Sequence, residues 1–325
     1  MLNKRQHRHD RDVRTTFGFD SVSAALDYHH HRYGFLIRRA QQVMASLFAQ
    51  ERRFEGPGLS LSQLELLFAV HAEPGMRQSQ ISARLGMGAA NTALMLGQLD
   101  RVGLIERLRG SDSRTKEVAL TSAAAPARAA GLACAGRAAE RFVAPIGGTK
   151  ARALDAVLVE IADGRAAALA LRSDPDRAPD GFLPVELRMD FRLGRCAGAY
   201  VDKVVPALGR ISLYQYAALF LIAVLPVSDQ ATVARALGIE RPSANLILTA
   251  LLGRQLIDRA ADPQDGRRQL LWATAEGADL IRRLKPIVEQ ADERLVAGLT
   301  PARRAIFVDH LYRILHAHHA LVVRR

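Results

Sequence analysis

Cysteine is scarce: 325 residues contain two, Cys134 and Cys196. They are far apart and make no disulfide framework. With no neighbouring base or second thiol to activate either, both read as small buried side chains rather than redox sensors. Long apolar runs are missing as well. The longest, Ala217 to Val227, falls well short of the ~20 residues that span a bilayer and reads as a buried helix, so no membrane partner is expected. Nothing near the start has the apolar region of a signal peptide, which makes the cytoplasm the expected compartment. There is no glycine-rich phosphate loop, no Gly-x-Ser-x-Gly and no His/carboxylate motif of catalytic spacing. Neither an enzyme nor a cofactor is therefore expected. Acid is also in deficit: 33 Asp and Glu against 45 Lys and Arg leave a formal net charge of +12. That balance favours a polyanionic partner, nucleic acid or an anionic surface, and charge alone does not choose between them.

What the chain does contain is a repeat. Leu59 to Thr121, shifted by 152 residues, lies over Ile211 onward without a gap as far as the hairpin that follows. Ser60 meets Ser212, Gln63 meets Gln215, Leu67-Phe68 meet Leu219-Phe220, Leu85-Gly86 meet Leu237-Gly238, Leu99 meets Leu251, and Leu104-Ile105 meet Leu256-Ile257. Two copies of one domain follow from repetition at this period. Each copy has three apolar-periodic segments, in the first copy Ser62 to His71, Gln78 to Leu85 and Ala89 to Val102, the last closing at Gly103. Two short helices joined by a turn make a helix-turn-helix. Leu104 to Leu108 and Glu117 to Thr121 then read as strands around the turn residues Gly110 to Ser113, a small hairpin or wing.

This order resembles the MarR (multiple antibiotic resistance regulator) family of winged-helix transcription factors. The matching motifs are Leu-x-x-x-Gly-Leu-Ile-x-Arg over Leu99 to Arg107, echoed as Leu251 to Arg259, and a wing that runs from Asp112-Ser113-Arg114 to Thr121 and from Asp262 through Arg267-Arg268 to Thr274. The expected fold is mainly α with small β-hairpin wings: two winged helix-turn-helix domains and a bundle of long helices of the kind that joins subunits in the family. The expected division is a basic flexible tail at 1–20, a first domain at 21–172, a Pro/Asp/Gly linker at 173–182 and a second domain at 183–325. The opening long helix is expected over about Tyr28 to Gln50, and helices after the wings over about Ser122 to Val143, Lys150 to Arg172, Ala275 to Ala297 and Pro301 to Val323. With both copies on one polypeptide, a single chain is expected to act as a pseudo-dimer.

The resemblance implies double-stranded DNA as partner, with the third helix of each copy in the major groove and the wing on phosphates. In the first copy that nominates Asn91, Thr92 and Gln98 on the helix and Arg109, Arg114 and Lys116 on the wing; in the second, Arg241, Ser243, Asn245 and Thr249 on the helix and Arg267 and Arg268 on the wing. Asp112 and Asp265 are expected to orient the neighbouring arginines. Met95, Leu99 and Val102, with Ile247, Leu251 and the stem of Arg254, are expected to form the buried faces. The pattern departs from the family at Leu94 and Leu246, where members commonly carry an arginine. Because the exposed positions of the two helices differ, an imperfectly palindromic operator is expected.

The resemblance also implies a repressor released by a small effector, an aromatic acid bound by Arg38, Arg39, Arg188 and Arg192, since an arginine fork pairs a carboxylate bidentately. The bland reading of those arginines is a salt-bridged stripe. Two alternatives stay open beside the regulator: a non-specific architectural DNA-binding protein and a protein-interaction module descended from one. His29 to His31 and the histidines at 316, 318 and 319 read as surface or interface groups rather than a zinc site, for want of a converging ligand set.

Overall fold

The computed structural model describes residues 17–52, 58–109, 116–169, 181–225 and 228–318. Thirteen helices among those residues are used below: α1 Val22–His31, α2 Tyr33–Glu51, α3 Leu61–Ala72, α4 Gln78–Leu85, α5 Ala89–Arg101, α6 Ala124–Val143, α7 Gly147–Leu169, α8 Val185–Leu208, α9 Leu213–Val224, α10 Gln230–Leu237, α11 Arg241–Gly253, α12 Ala275–Leu295 and α13 Pro301–Ala317. Two antiparallel hairpins complete the list, β1 Ile105–Arg109 with β2 Lys116–Leu120, and β3 Ile257–Ala261 with β4 Gln269–Ala273. Their registers run from Ile105 opposite Leu120 to Arg109 opposite Lys116, and from Ile257 opposite Ala273 to Ala261 opposite Gln269.

The residues repeated in sequence are the ones that begin and end these elements. Ser60 accepts from the backbone N–H of Gln63, whose side chain accepts in return from the N–H of Ser60; Ser212 and Gln215 do the same for α9. Each box satisfies two of the helix's orphan donors. The repeat also hides a difference. Gly103 leaves α5 with φ of 71°, and its counterpart Gln255 leaves α11 with φ of 57°, a region where a Cβ crowds the backbone. Gln255→Gly is therefore expected to stabilise the protein by about 1 kcal/mol, read by denaturant unfolding.

Each hairpin is met by a single bridging residue that periodicity does not reveal. Arg77 bridges Glu117 and Ser228 bridges Leu271, with Val118 N–H donating to the Met76 carbonyl and Leu271 N–H to the Ser228 carbonyl. The wing is thereby fixed to the turn that opens α4 or α10.

The chain divides into two compact units, and neither is a sequence half. One contains the residues up to Arg39, Tyr200–Ala297 and those from Leu315; the other contains Ala40–Ala199 and Gly298–Ile314. The first unit thus holds the second winged helix with α1, and the second holds the first winged helix with the opening half of α8. The linker expected at 173–182 falls, up to residue 180, outside the described residues, as does the tail expected at 1–20 up to residue 16.

In the first unit the core is Tyr216, Leu219, Phe220 and Ile222 of α9 against Val233, Leu248, Leu251, Ile257, Ile281 and Val288. The single opening helix expected over Tyr28 to Gln50 is in fact two, broken where Arg32 turns extended at ψ of 134°. Arg32 is buried, and its Nε donates to Asp292 Oδ2 at 2.7 Å while a terminal nitrogen donates to the Tyr200 hydroxyl at 2.7 Å. Asp292 Oδ1 accepts the N–H of Gly34 at 2.7 Å and so caps α2. The absence of a side chain at Gly34 is needed there, because a Cβ would stand 2.1 Å from the Tyr200 ring.

In the second unit the core joins Leu64, Leu67 and Val70 of α3 to Ile81, Leu99, Ile105, Val118, Cys134, Phe142 and Leu158. Both cysteines are buried, and neither is in a disulfide. Glu65 of α3 and Asp190 of α8 are buried too, and their carboxyl groups hydrogen-bond each other. Burial, and for Glu65 also the neighbouring carboxylate, pushes both well above the ordinary range, so the folded pair keeps protons that the unfolded chain has lost. The pair's contribution to stability is then greatest below the unfolded carboxylate pKa, near ~4, and falls as pH rises through neutrality. Glu65→Gln is expected to abolish most of that decline and to stabilise the protein at pH 8 by more than about 1 kcal/mol, measured as denaturation midpoints across the pH range.

Candidate nucleic-acid interface

The third helix of each copy is held by the helix before it. Gln78 Nε2 donates to the Ala89 carbonyl at 3.3 Å, and Gln230 Nε2 donates to the Arg241 carbonyl at 3.0 Å. These glutamines match at the repeat spacing and pin the N-terminus of α5 and of α11. Neither was singled out in the sequence, although their identity at that spacing was there to be used.

On α11 the four residues expected to face DNA, Arg241, Ser243, Asn245 and Thr249, are all exposed. On α5 only Asn91 of the three is exposed. Thr92, expected on the reading face, is wholly buried and donates its hydroxyl to the Gly88 carbonyl at 3.2 Å. Gln98 is half-buried and accepts from Gln63 Nε2 at 2.8 Å, which makes it a brace between α3 and α5. The buried face also differs from expectation. It consists of Thr92, Met95, Leu96 and Leu99 on α5 and of Ala244, Leu248 and Leu251 on α11. Val102 lies on the surface, because the helix ends there. Leu94 and Leu246, the departures from the family pattern, are exposed at 57% and 73%.

On the wings, Lys116 and Arg267 are exposed. Arg109 ends β1 opposite Lys116, while Arg114 and Asp112 lie outside the described residues. Arg268 is engaged within the protein: its Nε donates to Asp229 Oδ2 at 2.6 Å, and a terminal nitrogen lies 3.5 Å from Asp262. Asp229 also caps α10 by accepting the Thr232 N–H at 2.7 Å; the bonds from Thr232 and Arg268 outweigh its burial and hold its pKa low. Arg268 therefore ties the wing to the helix-turn-helix. Asp265 accepts the backbone N–H of Arg267 at 3.1 Å and shapes the turn.

The four arginines expected to hold an effector are engaged elsewhere. Arg38 stacks 4.7 Å over Tyr214, and Arg39 is buried and donates to the Gly238 carbonyl. Arg188 Nε donates to the Leu183 carbonyl at 3.1 Å, and Arg192 pairs with Asp155. The salt-bridged and stacked reading of these residues fits better. Polar groups converge instead around Arg32. His29 is buried and stacked on Phe220 at 5.6 Å, with neither ring nitrogen hydrogen-bonded among the described residues; expected at the surface or an interface, it is a neutral core group, held so first by burial and then by the Arg32 charge. The Tyr216 hydroxyl likewise lacks a partner among the described residues, and Arg32 lies 5.8 Å from the Tyr216 ring centroid. Burial raises the Tyr216 pKa to about 12, so it remains a hydrogen-bond donor at neutral pH. Among the described residues no group of His, Cys, Asp and Glu could hold a metal, and no single helix is long and apolar enough to cross a membrane.

Comparison with known proteins gives two matches to the MarR family model, over residues 59–116 and 211–268. A regulatory protein for the hcr operon of Thauera aromatica is 30% identical over 143 residues, 44% of this chain and 86% of the relative. An HTH-type transcriptional repressor of Mycobacterium bovis is 27% identical over 139 residues, 43% of this chain and 95% of the relative. Among solved structures, the PcaV transcriptional regulator from Streptomyces coelicolor, in complex with its natural ligand, is 31% identical and covers 40% of this chain and 91% of its own, with a TM-score of 0.37.

Proposed function

Because this chain belongs to the MarR family of transcriptional regulators and carries its DNA-binding domain twice, we propose that it is a sequence-specific repressor that acts on DNA as a pseudo-dimer. The observation that carries the proposal is the second copy: Arg241, Ser243, Asn245 and Thr249 all project from one exposed recognition helix pinned by Gln230. Hydroxyls and amides of this kind read base edges, while Arg241, Arg267 and Lys116 supply charge for phosphates. The first copy offers Asn91 as its one exposed polar reader among those nominated. The two copies therefore demand different bases, and the operator is an imperfect palindrome. The repressor of Mycobacterium bovis supports repression as the sense of control.

The effector, on this reading, is a small aromatic acid bound beside Arg32. A carboxylate would compete with Asp292 for the guanidinium, and a phenol would pair with the polar atoms of His29 and Tyr216. In the other unit the positions of Tyr216 and Ala217 are held by Leu64 and Glu65, so the tyrosine hydroxyl has no counterpart there. One effector per chain is proposed. By linkage it must weaken DNA binding by the factor by which DNA weakens its own.

Selection of bound fragments from genomic DNA by the purified chain tests the proposal. Enrichment of one class of site with two unlike halves is expected. Uniform recovery, with affinity set by salt alone, would instead establish the architectural alternative. Calorimetry with benzoate, 4-hydroxybenzoate and 3,4-dihydroxybenzoate tests the effector: one site per chain, lost in Arg32→Gln, is expected. No binding by any of the three removes it.

A further inference from the structure

Leu94 and Leu246 stand at the same place in the two recognition helices. From residues 89–101 against 241–253, three positions carry the same residue in both copies: Leu94 with Leu246, Leu96 with Leu248, and Leu99 with Leu251. The last two pairs need no separate reason, since Leu96, Leu99, Leu248 and Leu251 are all buried in the cores beneath the helices. Leu94 and Leu246 are exposed at 57% and 73%, so no core requirement holds them. Every other exposed position of these helices has diverged: Ala89 aligns with Arg241, Ala90 with Pro242, Asn91 with Ser243, Ala93 with Asn245, Gly97 with Thr249, Asp100 with Leu252 and Arg101 with Gly253. A leucine alone on a surface is ordinary. An exposed leucine kept in both copies, at the centre of faces that otherwise differ, is not explained by folding.

The neighbours say what such a leucine meets. Leu246 lies one turn after Ser243 and one turn before Thr249, both exposed, and Leu94 lies one turn after exposed Asn91. This is the face turned to the major groove on the reading given above, on which the inference rests. A leucine neither donates nor accepts hydrogen bonds. Of the groups displayed along the major-groove edges of B-DNA, the thymine C5-methyl is the apolar one. We propose that Leu94 and Leu246 each read the methyl group of a thymine, so that the two half-sites, unlike elsewhere, share a thymine at one equivalent position. Where the family commonly places an arginine, which favours guanine, this chain favours thymine.

The test uses the full chain and an operator obtained by selection. Replacing the shared thymine by deoxyuridine removes one methyl and leaves every hydrogen-bonding group, so wild-type affinity is expected to fall about fourfold per half-site, the worth of one buried methyl group. A 5-methylcytosine–guanine pair at that position should retain the part of the affinity that an unmethylated cytosine–guanine pair loses. Leu246→Ala is expected to bind the thymine operator as weakly as wild type binds the uracil one, and to be indifferent to uracil there. Leu246→Arg is expected to shift the selected base from thymine to guanine. The uracil measurement needs no variant, so a substitution that disturbs folding cannot obscure it. Equal wild-type affinity for thymine and uracil at every operator position, or a Leu94→Ala/Leu246→Ala protein still sensitive to uracil at the same positions, overturns the inference and leaves sequence-specific binding intact. Selection that enriches no sequence overturns both.

Discussion

Asp292→Ala should cost about 3–5 kcal/mol of stability, the largest loss expected from one side chain in this protein. Asp292 is buried and serves two groups at once, the Arg32 guanidinium and the N–H that starts α2. Burial by itself would lower the Arg32 pKa, yet Asp292 and the surrounding tyrosines raise it above the ordinary arginine value. The charge is thus retained inside the unit and depends on its partner. Truncating Asp292 leaves that charge without a counter-ion, whereas replacing both partners with apolar residues removes it. Arg32→Met with Asp292→Leu is therefore expected to recover much of the stability lost by Asp292→Ala alone. Urea denaturation at neutral pH of Asp292→Ala, the Arg32→Met/Asp292→Leu double variant and the parent checks this, and a double variant no more stable than Asp292→Ala would count against it.

The second large effect falls on DNA affinity. Arg267→Ala combined with Lys116→Ala should weaken binding about a hundredfold near 0.1 M salt and lower the slope of log affinity against log salt by ~2, equally for all sequences. Arg268→Ala should behave differently. Its guanidinium is held between Asp229 and Asp262, so its loss frees the wing from α10 without removing a phosphate contact. The expected signature is weaker binding at a nearly unchanged salt slope, with reduced thermal stability. Fluorescence anisotropy across a salt series separates the two behaviours.

The sequence displayed most of the fold because the repeat marked structural necessities. Ser60 and Gln63 recur as Ser212 and Gln215 since a capping box needs both members. Leu99 and Leu251 recur since the recognition helices bury them. Where one position must satisfy two demands, periodicity misled. Thr92 falls one residue after Asn91 on a polar-looking stretch, but rotation by one position carries it under the helix, where its hydroxyl is satisfied by Gly88. The break at Arg32 was hidden for another reason. Nothing local to Tyr28–Gln50 forbids a continuous helix; the kink follows from Asp292 and Tyr200, far away in the chain. The same long-range contacts explain why His29, expected at the surface or an interface, lies in the core and why the compact units draw on both repeats.

On this reading one polypeptide supplies both DNA-reading modules. Analytical ultracentrifugation of the chain with its selected operator, read as the number of chains per duplex, decides it. One chain per duplex, with footprint protection over two unlike half-sites, is the expected result. Two chains per duplex, or protection of a single half-site by one chain, would contradict it.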